Sequence, residues 1–123
     1  MKGLALAAGV AVVALGLTLG VRAQAKPETV KGHLMDVACA TTDVSKGAAV
    51  IEAHDKACLL MAPCVKSGYA IVTADMKVVK LDAKGNEDAL KFINATTRDK
   101  DWKVTANGTI ANGVMSVSSL SLQ

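Results

Sequence analysis

Three cysteines and one histidine are the residues of this sequence best suited to chemistry. The cysteines are Cys39, Cys58 and Cys64, and His54 stands four residues before Cys58. Residues four apart on a helix share a face, so His54 and Cys58 are predicted to lie side by side. Cys39 ends a predicted strand, and Cys64 follows the end of the predicted helix. We therefore expect the four side chains to converge at one end of the fold.

A metal site is the sharpest hypothesis for this group. Three thiolates and an imidazole bind zinc tetrahedrally, or copper(I) where the ligands are soft. The expected ligands are Cys39, His54, Cys58 and Cys64, with zinc or copper as the ion. The H-x3-C-x5-C spacing differs from that of zinc fingers. Asp36, three residues before Cys39, is interpreted as the cap of a turn.

Two other interpretations of the cysteines stay open. The first is a structural disulfide between Cys39 and either Cys58 or Cys64, which would leave one thiol free. Closing a loop of about 20 residues stabilises a fold by roughly 3 kcal/mol in the chain-entropy model. The second is a thiol-dependent redox protein with a reactive cysteine near His54. No C-x-x-C motif or hydrolase motif is present in the sequence, so a non-enzymatic binding or structural module is favoured.

The first 25 residues are typical of a secretory signal peptide. Lys2 supplies the positive charge, residues 3–21 are uncharged, and Ala23-Gln24-Ala25 matches a cleavage site. A retained membrane anchor is the rival, because a bilayer-spanning helix needs about 20 apolar residues. Nothing later in the sequence is apolar enough to span a membrane. We expect a periplasmic or secreted protein of bacterial type that begins at Lys26.

The remaining 98 residues predict one domain, residues 26–123, with an ordinary surface charge. Without Lys2 and Arg22 the formal net charge falls from +3 to +1. The three aromatic residues are Tyr69, Phe92 and Trp102. Small β domains that bind nucleic acids use a basic groove and stacking aromatics, so no nucleic-acid partner is expected. The sequence names no other partner.

Hydrophobic alternation and turn residues predict five strands and two helical regions. The strands are expected at residues 29–37, 69–73, 77–82, 102–110 and 114–122. A polar loop is expected at 40–47, followed by a helical region at 48–62 that breaks near His54 and is stopped by Pro63. Asn86 is the expected N-cap of the second helix. Asn112-Gly113 predicts a two-residue hairpin turn, and a bulge is expected near Ser118.

The order of these elements predicts an OB-like five-stranded barrel. The first helical region becomes an insertion between strands one and two, and the short second helix lies between strands three and four. Closure into a barrel removes the exposed edges of so small a sheet. The alternative architecture is an open α+β sheet with both helical regions on one face.

The motifs also resemble those of a family of small secreted bacterial proteins. The similar features are the run Gly32-x-Leu34-x-Asp36-x-x-Cys39, the His54 and Cys58 pair, Cys64, and a closing G-T-I-A-N-G hairpin. The resemblance implies export and an OB-like barrel, and it implies no activity or ligand. The gap between Cys58 and Cys64 is longer than in similar sequences.

Overall fold

Five strands close into a barrel in the computed structural model, which describes residues 26–123. The order around the barrel is β1-β2-β3-β5-β4, with β3 and β5 parallel and the other neighbours antiparallel. The predicted OB-like barrel is confirmed, and the open sheet is not formed. The strands are β1 (Pro27–Asp36), β2 (Tyr69–Val72), β3 (Val78–Leu81), β4 (Lys103–Ala111) and β5 (Val114–Leu122).

Helices fill two of the connections between strands, as the sequence predicted. Four short helices and a 3-10 turn form what we call the helical insertion, residues 37–67 between β1 and β2. A longer helix, α5, connects β3 to β4. The elements are α1 (Val37–Asp43), the 3-10 turn (Val44–Lys46), α2 (Ala48–Glu52), α3 (Lys56–Leu59), α4 (Ala62–Ser67) and α5 (Ala83–Ala95).

The insertion contains more helix than the sequence predicted. Residues 40–47 were expected to form a polar loop, but most of them belong to α1 and the 3-10 turn. Pro63 was expected to stop a helix, and it instead lies in the first turn of α4. Proline is tolerated there because the first backbone amides of a helix have no partner within the helix.

The predicted N-cap of α5 is also wrong by four residues. The carboxylate of Asp82 caps this helix by accepting a hydrogen bond from the Gly85 amide at 2.7 Å. The side-chain oxygen of Asn86 accepts from the Tyr69 amide at 2.8 Å. Asn86 therefore ties α5 to the start of β2, the strand that follows the insertion.

The C-terminal hairpin is confirmed in detail. Asn112 and Gly113 have positive φ angles of 53° and 75° between β4 and β5. Asn107 pairs with Ser119 and Gly108 with Val117, so one extra residue, Ser118, is bulged. The bulge allows β5 to follow the curvature of the barrel.

Apolar residues pack on both faces of β1 and β2. Leu34 and Ile71 point into the barrel, where they belong to a larger apolar cluster. Their neighbours Met35 and Ala70 point outward and, with Ala40, Ile51 and Val72, form a smaller apolar cluster. Strand alternation therefore provides an outer apolar face on which Ala40 and Ile51 of the insertion pack, while Leu59 of α3 joins the larger cluster.

Residues 1–25, the predicted signal segment, lie outside the described residues. Within residues 26–123, no helix has the length and the apolar character that a membrane crossing needs.

Candidate metal centre

A buried carboxylate lies where the barrel meets the insertion. Asp36 is the last residue of β1, and its side chain is fully buried. One oxygen, Oδ2, accepts a hydrogen bond from the Cys39 amide at 2.9 Å and so caps α1. The other oxygen, Oδ1, lies 3.0 Å from Nε2 of His54. Asp36 therefore connects the strand, the first helix of the insertion and the histidine.

His54 lies in the break between α2 and α3, where the sequence predicted an interruption. It is 8% exposed, and its amide donates to the Ile51 carbonyl at 3.3 Å. The next residue, Asp55, caps α3 by accepting from the Cys58 amide at 2.8 Å. Because His54 is not on a helix, the rule that residues four apart share a helical face does not apply to His54 and Cys58.

Hydrogen bonds between α1 and α4 bring Cys39 and Cys64 together. The Val37 amide donates to the Gly68 carbonyl at 2.9 Å, and the Ala38 amide donates to Ser67 Oγ at 3.2 Å. The Ser67 hydroxyl in turn donates to the Cys64 carbonyl at 2.7 Å. These bonds fix the start of α1 against the end of α4.

Two groups of metal-ligating side chains overlap at Cys39. One group is Asp36, Cys39 and Cys64, and the other is Cys39, Asp43 and His54. Within each group the ligand atoms lie within 4.8 Å of one another. We call these five residues the Cys39 cluster. The structure thus brings together three of the four ligands expected from the sequence.

Cys58 lies in neither group. It is on α3, and its closest described chemical partner is Asp55, whose hydrogen bond raises the pKa of the thiol. All three cysteines are free thiols, so the disulfide expected between Cys39 and either Cys58 or Cys64 is not formed in this structure.

The sequence did not identify the two carboxylates as ligand candidates. Asp36 was interpreted only as a cap, which it is, and Asp43 was placed in a loop. Asp43 follows Cys39 by four residues on α1, so the two share a face of that helix. A helical interpretation of residues 40–47 would have found this pair.

The thiols of the cluster are held in the protonated form. Burial and the negative charge of Asp36 raise the pKa of Cys39 to about 12. The same two causes raise the pKa of Cys64. Burial acts to raise the pKa of Asp36, but hydrogen bonds from His54 and the Cys39 amide outweigh it, and the pKa is lowered. A metal ion that binds here must therefore displace thiol protons.

The buried polar side-chain atoms of the cluster all have hydrogen-bond partners. No buried side-chain nitrogen or oxygen of residues 26–123 lacks a partner. Asp43, whose side chain is 14% exposed, pairs with Lys46 at 2.8 Å. A metal ion would use the second ring nitrogen of His54 or replace its bond to Asp36.

Comparisons with known proteins found no match among family models, curated proteins or solved structures. The resemblance to a family of small secreted bacterial proteins stays a prediction.

Proposed function

We propose that this protein is a small exported, non-enzymatic module that binds one zinc ion in the Cys39 cluster. The observation that carries the proposal is the position of Cys39, whose sulfur belongs to both groups of potential ligands. Zinc binds sulfur at about 2.3 Å, and nitrogen or oxygen at about 2.0–2.2 Å. Within each group the ligand atoms already lie within 4.8 Å of one another, so Cys39, Asp43 and His54 need only small side-chain movements, and Cys64 of the other group must move toward them.

Asp36 supports the site best as a positioning residue. Both of its oxygens already accept hydrogen bonds, one from the Cys39 amide and one from His54. Carboxylates bonded to a ligating histidine commonly fix the orientation and the tautomer of its ring. In this proposal Asp36 holds His54, and the ion binds Cys39, Asp43 and His54. Cys64, the other neighbour of the Cys39 sulfur, supplies the fourth ligand.

The chemistry of the donors favours zinc over copper(I). Carboxylate and imidazole suit zinc, whereas copper(I) prefers thiolates and thioethers. Met35 and Met61 lie near the cluster in the sequence and could offer thioether ligands, but one is engaged elsewhere and the other faces solvent. Met35 packs in the smaller apolar cluster, and Met61 is 54% exposed.

The thiol chemistry supports a binding role over a redox enzyme. Reactive cysteines have lowered pKa values, because the thiolate is the nucleophile. The pKa values of Cys39, Cys58 and Cys64 are all raised. A thiol-dependent redox protein, the alternative considered from the sequence, would need the opposite shift in at least one of them.

A competition titration tests the proposal directly. The reduced full-length chain is titrated with Zn(II), and separately with Cu(I), against a chelator of known affinity. We expect one zinc ion per chain and a loss of at least about a hundredfold in affinity in Cys39→Ser, since the shared ligand is gone. Cys58→Ser is the matched control, because it removes a thiol outside the cluster, and its affinity should stay within about threefold of wild type.

The two histidines provide a second matched pair. His54→Ala removes a proposed ligand, whereas His33→Ala removes a histidine that pairs with Asp101 at 2.8 Å outside the cluster. Only the first substitution should weaken zinc binding. Equal affinities in wild type, Cys39→Ser and His54→Ala, with the fold confirmed by circular dichroism, would contradict the proposal. Tight binding of Cu(I) with no binding of Zn(II) would contradict the choice of ion.

A further inference from the structure

We propose that Cys39 and Cys64 are a disulfide-forming pair, and that their oxidation switches the Cys39 cluster off. The pairing is independent of the proposed function, and its effect on metal binding rests on that function. The two sulfur atoms lie within 4.8 Å of each other, and both belong to one ligand group. A disulfide requires a sulfur–sulfur separation of about 2.05 Å, so the two side chains must approach each other during oxidation.

The backbone around the two thiols keeps them adjacent. Cys39 is the third residue of α1, and Cys64 is the third residue of α4. The bonds from Val37 to Gly68 and from Ala38 to Ser67 join these helices directly beside the two cysteines. The pair is thus held in place by local hydrogen bonds, and bond formation needs no rearrangement of the barrel.

Cys58, the third cysteine of the insertion, lies outside the pair formed by Cys39 and Cys64. It is on α3, where its amide and thiol are both engaged with Asp55. It belongs to neither of the ligand groups that contain Cys39. The geometry therefore assigns the disulfide to Cys39 and Cys64, and it leaves Cys58 as the free third thiol.

The reaction is thiol–disulfide exchange with a small disulfide such as oxidised glutathione. One cysteine loses its proton, and its thiolate attacks the small disulfide, forms a mixed disulfide and releases a glutathione thiolate that takes up a proton. Because the pKa of both thiols is raised, little thiolate is present, and the exchange is slow compared with that of a redox enzyme. The sulfur of the other cysteine then attacks the protein sulfur of the mixed disulfide and releases the second glutathione thiol. Two protein thiols are oxidised to one disulfide, one molecule of oxidised glutathione is reduced to two thiols, and the two thiol protons end on glutathione.

Oxidation would remove two zinc ligands in one step. A disulfide sulfur is a poor ligand compared with a thiolate, so Cys39 is lost from both groups that share it. We expect the zinc affinity of the oxidised protein to be at least about a hundredfold lower than that of the reduced protein. Bound zinc should in turn slow the exchange, because it occupies the attacking sulfurs.

Equilibration in glutathione buffers tests the pairing. The full chain is incubated with oxidised and reduced glutathione at several ratios, alkylated with iodoacetamide and analysed by intact mass and peptide mapping. Under oxidising ratios we expect one alkylated cysteine per chain, Cys58, and a peptide that links Cys39 to Cys64. Dithiothreitol should restore three alkylated cysteines. Cys58→Ser is the control that should form the same disulfide, and Cys64→Ser should form none within the chain.

The wild-type map decides the question even if a variant fails to fold. Three alkylated cysteines at every ratio, a link that involves Cys58, or only disulfides between chains would each overturn the pairing. Zinc titration of the reduced protein separates the two proposals. A Cys39–Cys64 disulfide in a protein that binds no zinc leaves the pairing intact and refutes the metal function. Equal zinc affinity in the reduced and oxidised proteins refutes the switch.

Discussion

The barrel and the helical insertion are held together by different interactions. The interior of the barrel is a continuous apolar cluster to which all five strands and α5 contribute buried residues, among them Leu34, Ile71 and Met115. The insertion adds fewer apolar residues: Leu59 joins this larger cluster, and Ala40 and Ile51 pack against the outer face of the wall. It is also attached by polar contacts, and the central one is the buried contact between Asp36 and His54.

The helices of the insertion are too short to be stable alone. They have four to seven residues, whereas isolated helices below about 12 residues are marginal in water. Two of them depend on aspartate caps, Asp36 for α1 and Asp55 for α3. The barrel therefore depends on many apolar contacts, whereas the insertion depends on fewer apolar contacts and a few specific polar ones. The four proposed zinc ligands lie in the insertion.

The largest expected loss of stability comes from the barrel. Leu34→Ala removes a fully buried side chain from the larger apolar cluster and should lower the free energy of unfolding by about 2–5 kcal/mol. Urea unfolding measures the loss. Because Leu34 is outside the Cys39 cluster, the zinc affinity of the folded fraction should stay within about threefold of wild type. A much weaker affinity would mean that the two regions are not separable.

Asp36, where the barrel meets the insertion, is expected to give a smaller loss of stability and a larger loss of zinc affinity. Asp36→Asn retains the size of the side chain but removes its charge and one acceptor for the bonds to Cys39 and His54. We expect the free energy of unfolding to fall by about 1–3 kcal/mol and the zinc affinity to fall about 10–100-fold. Asp82→Asn is the matched control, since Asp82 caps α5 away from the cluster. Similar zinc affinities in the two variants would argue against a positioning role for Asp36.

A substitution in the hairpin turn should lower the stability of the protein without changing its zinc affinity. Gly113 has a φ angle of 75°, which costs a residue with a Cβ about 1–2 kcal/mol. Gly113→Ala should therefore lower the free energy of unfolding by about 1 kcal/mol and leave zinc binding unchanged. Thermal unfolding and the chelator competition measure the two quantities. An altered zinc affinity would reveal a connection between the hairpin and the insertion that the contacts do not predict.

The smallest expected effect is a loss of stability at acid pH. The pKa of Asp36 is lower in the folded protein than its ordinary value of 3.8. The stability from this carboxylate is therefore present above about pH 4 and is lost as the pH falls through the folded pKa. Wild type should lose more stability than Asp36→Asn when urea unfolding is measured at pH 6 and again near pH 3. Other aspartates contribute equally to both proteins, so parallel losses would remove Asp36 as the source.

The sequence predicted the barrel well because local patterns determine it. Alternating apolar residues mark the strands, and the Asn112-Gly113 turn sets the register of the hairpin. The insertion has no such periodicity. Residues 40–47 are polar, and they form a helix because Asp36 caps it and because α4 packs beside it.

The site was predicted in part for the same reason. The structure places Cys39 close to Cys64 and close to His54, and the sequence placed all three on or beside one insertion. Cys58 was also expected among them, because it lies on the same insertion and follows His54 by four residues, but it belongs to neither ligand group. The chain turns between α2 and α3, and no local pattern in the sequence reports that His54 then meets Asp36.

Because Asp36 connects the barrel and the insertion, metal binding in the Cys39 cluster should raise the unfolding temperature of the protein. Any ion that binds only the folded protein raises its stability by RT ln(1 + [L]/Kd), about 2.7 kcal/mol at a hundredfold excess over Kd. Asp36 is both the last residue of β1 and the N-cap of α1, so unfolding of the insertion is expected to be coupled to unfolding of the barrel. The temperature of unfolding, followed through the buried Trp102, can therefore rank candidate metals without any assay of activity.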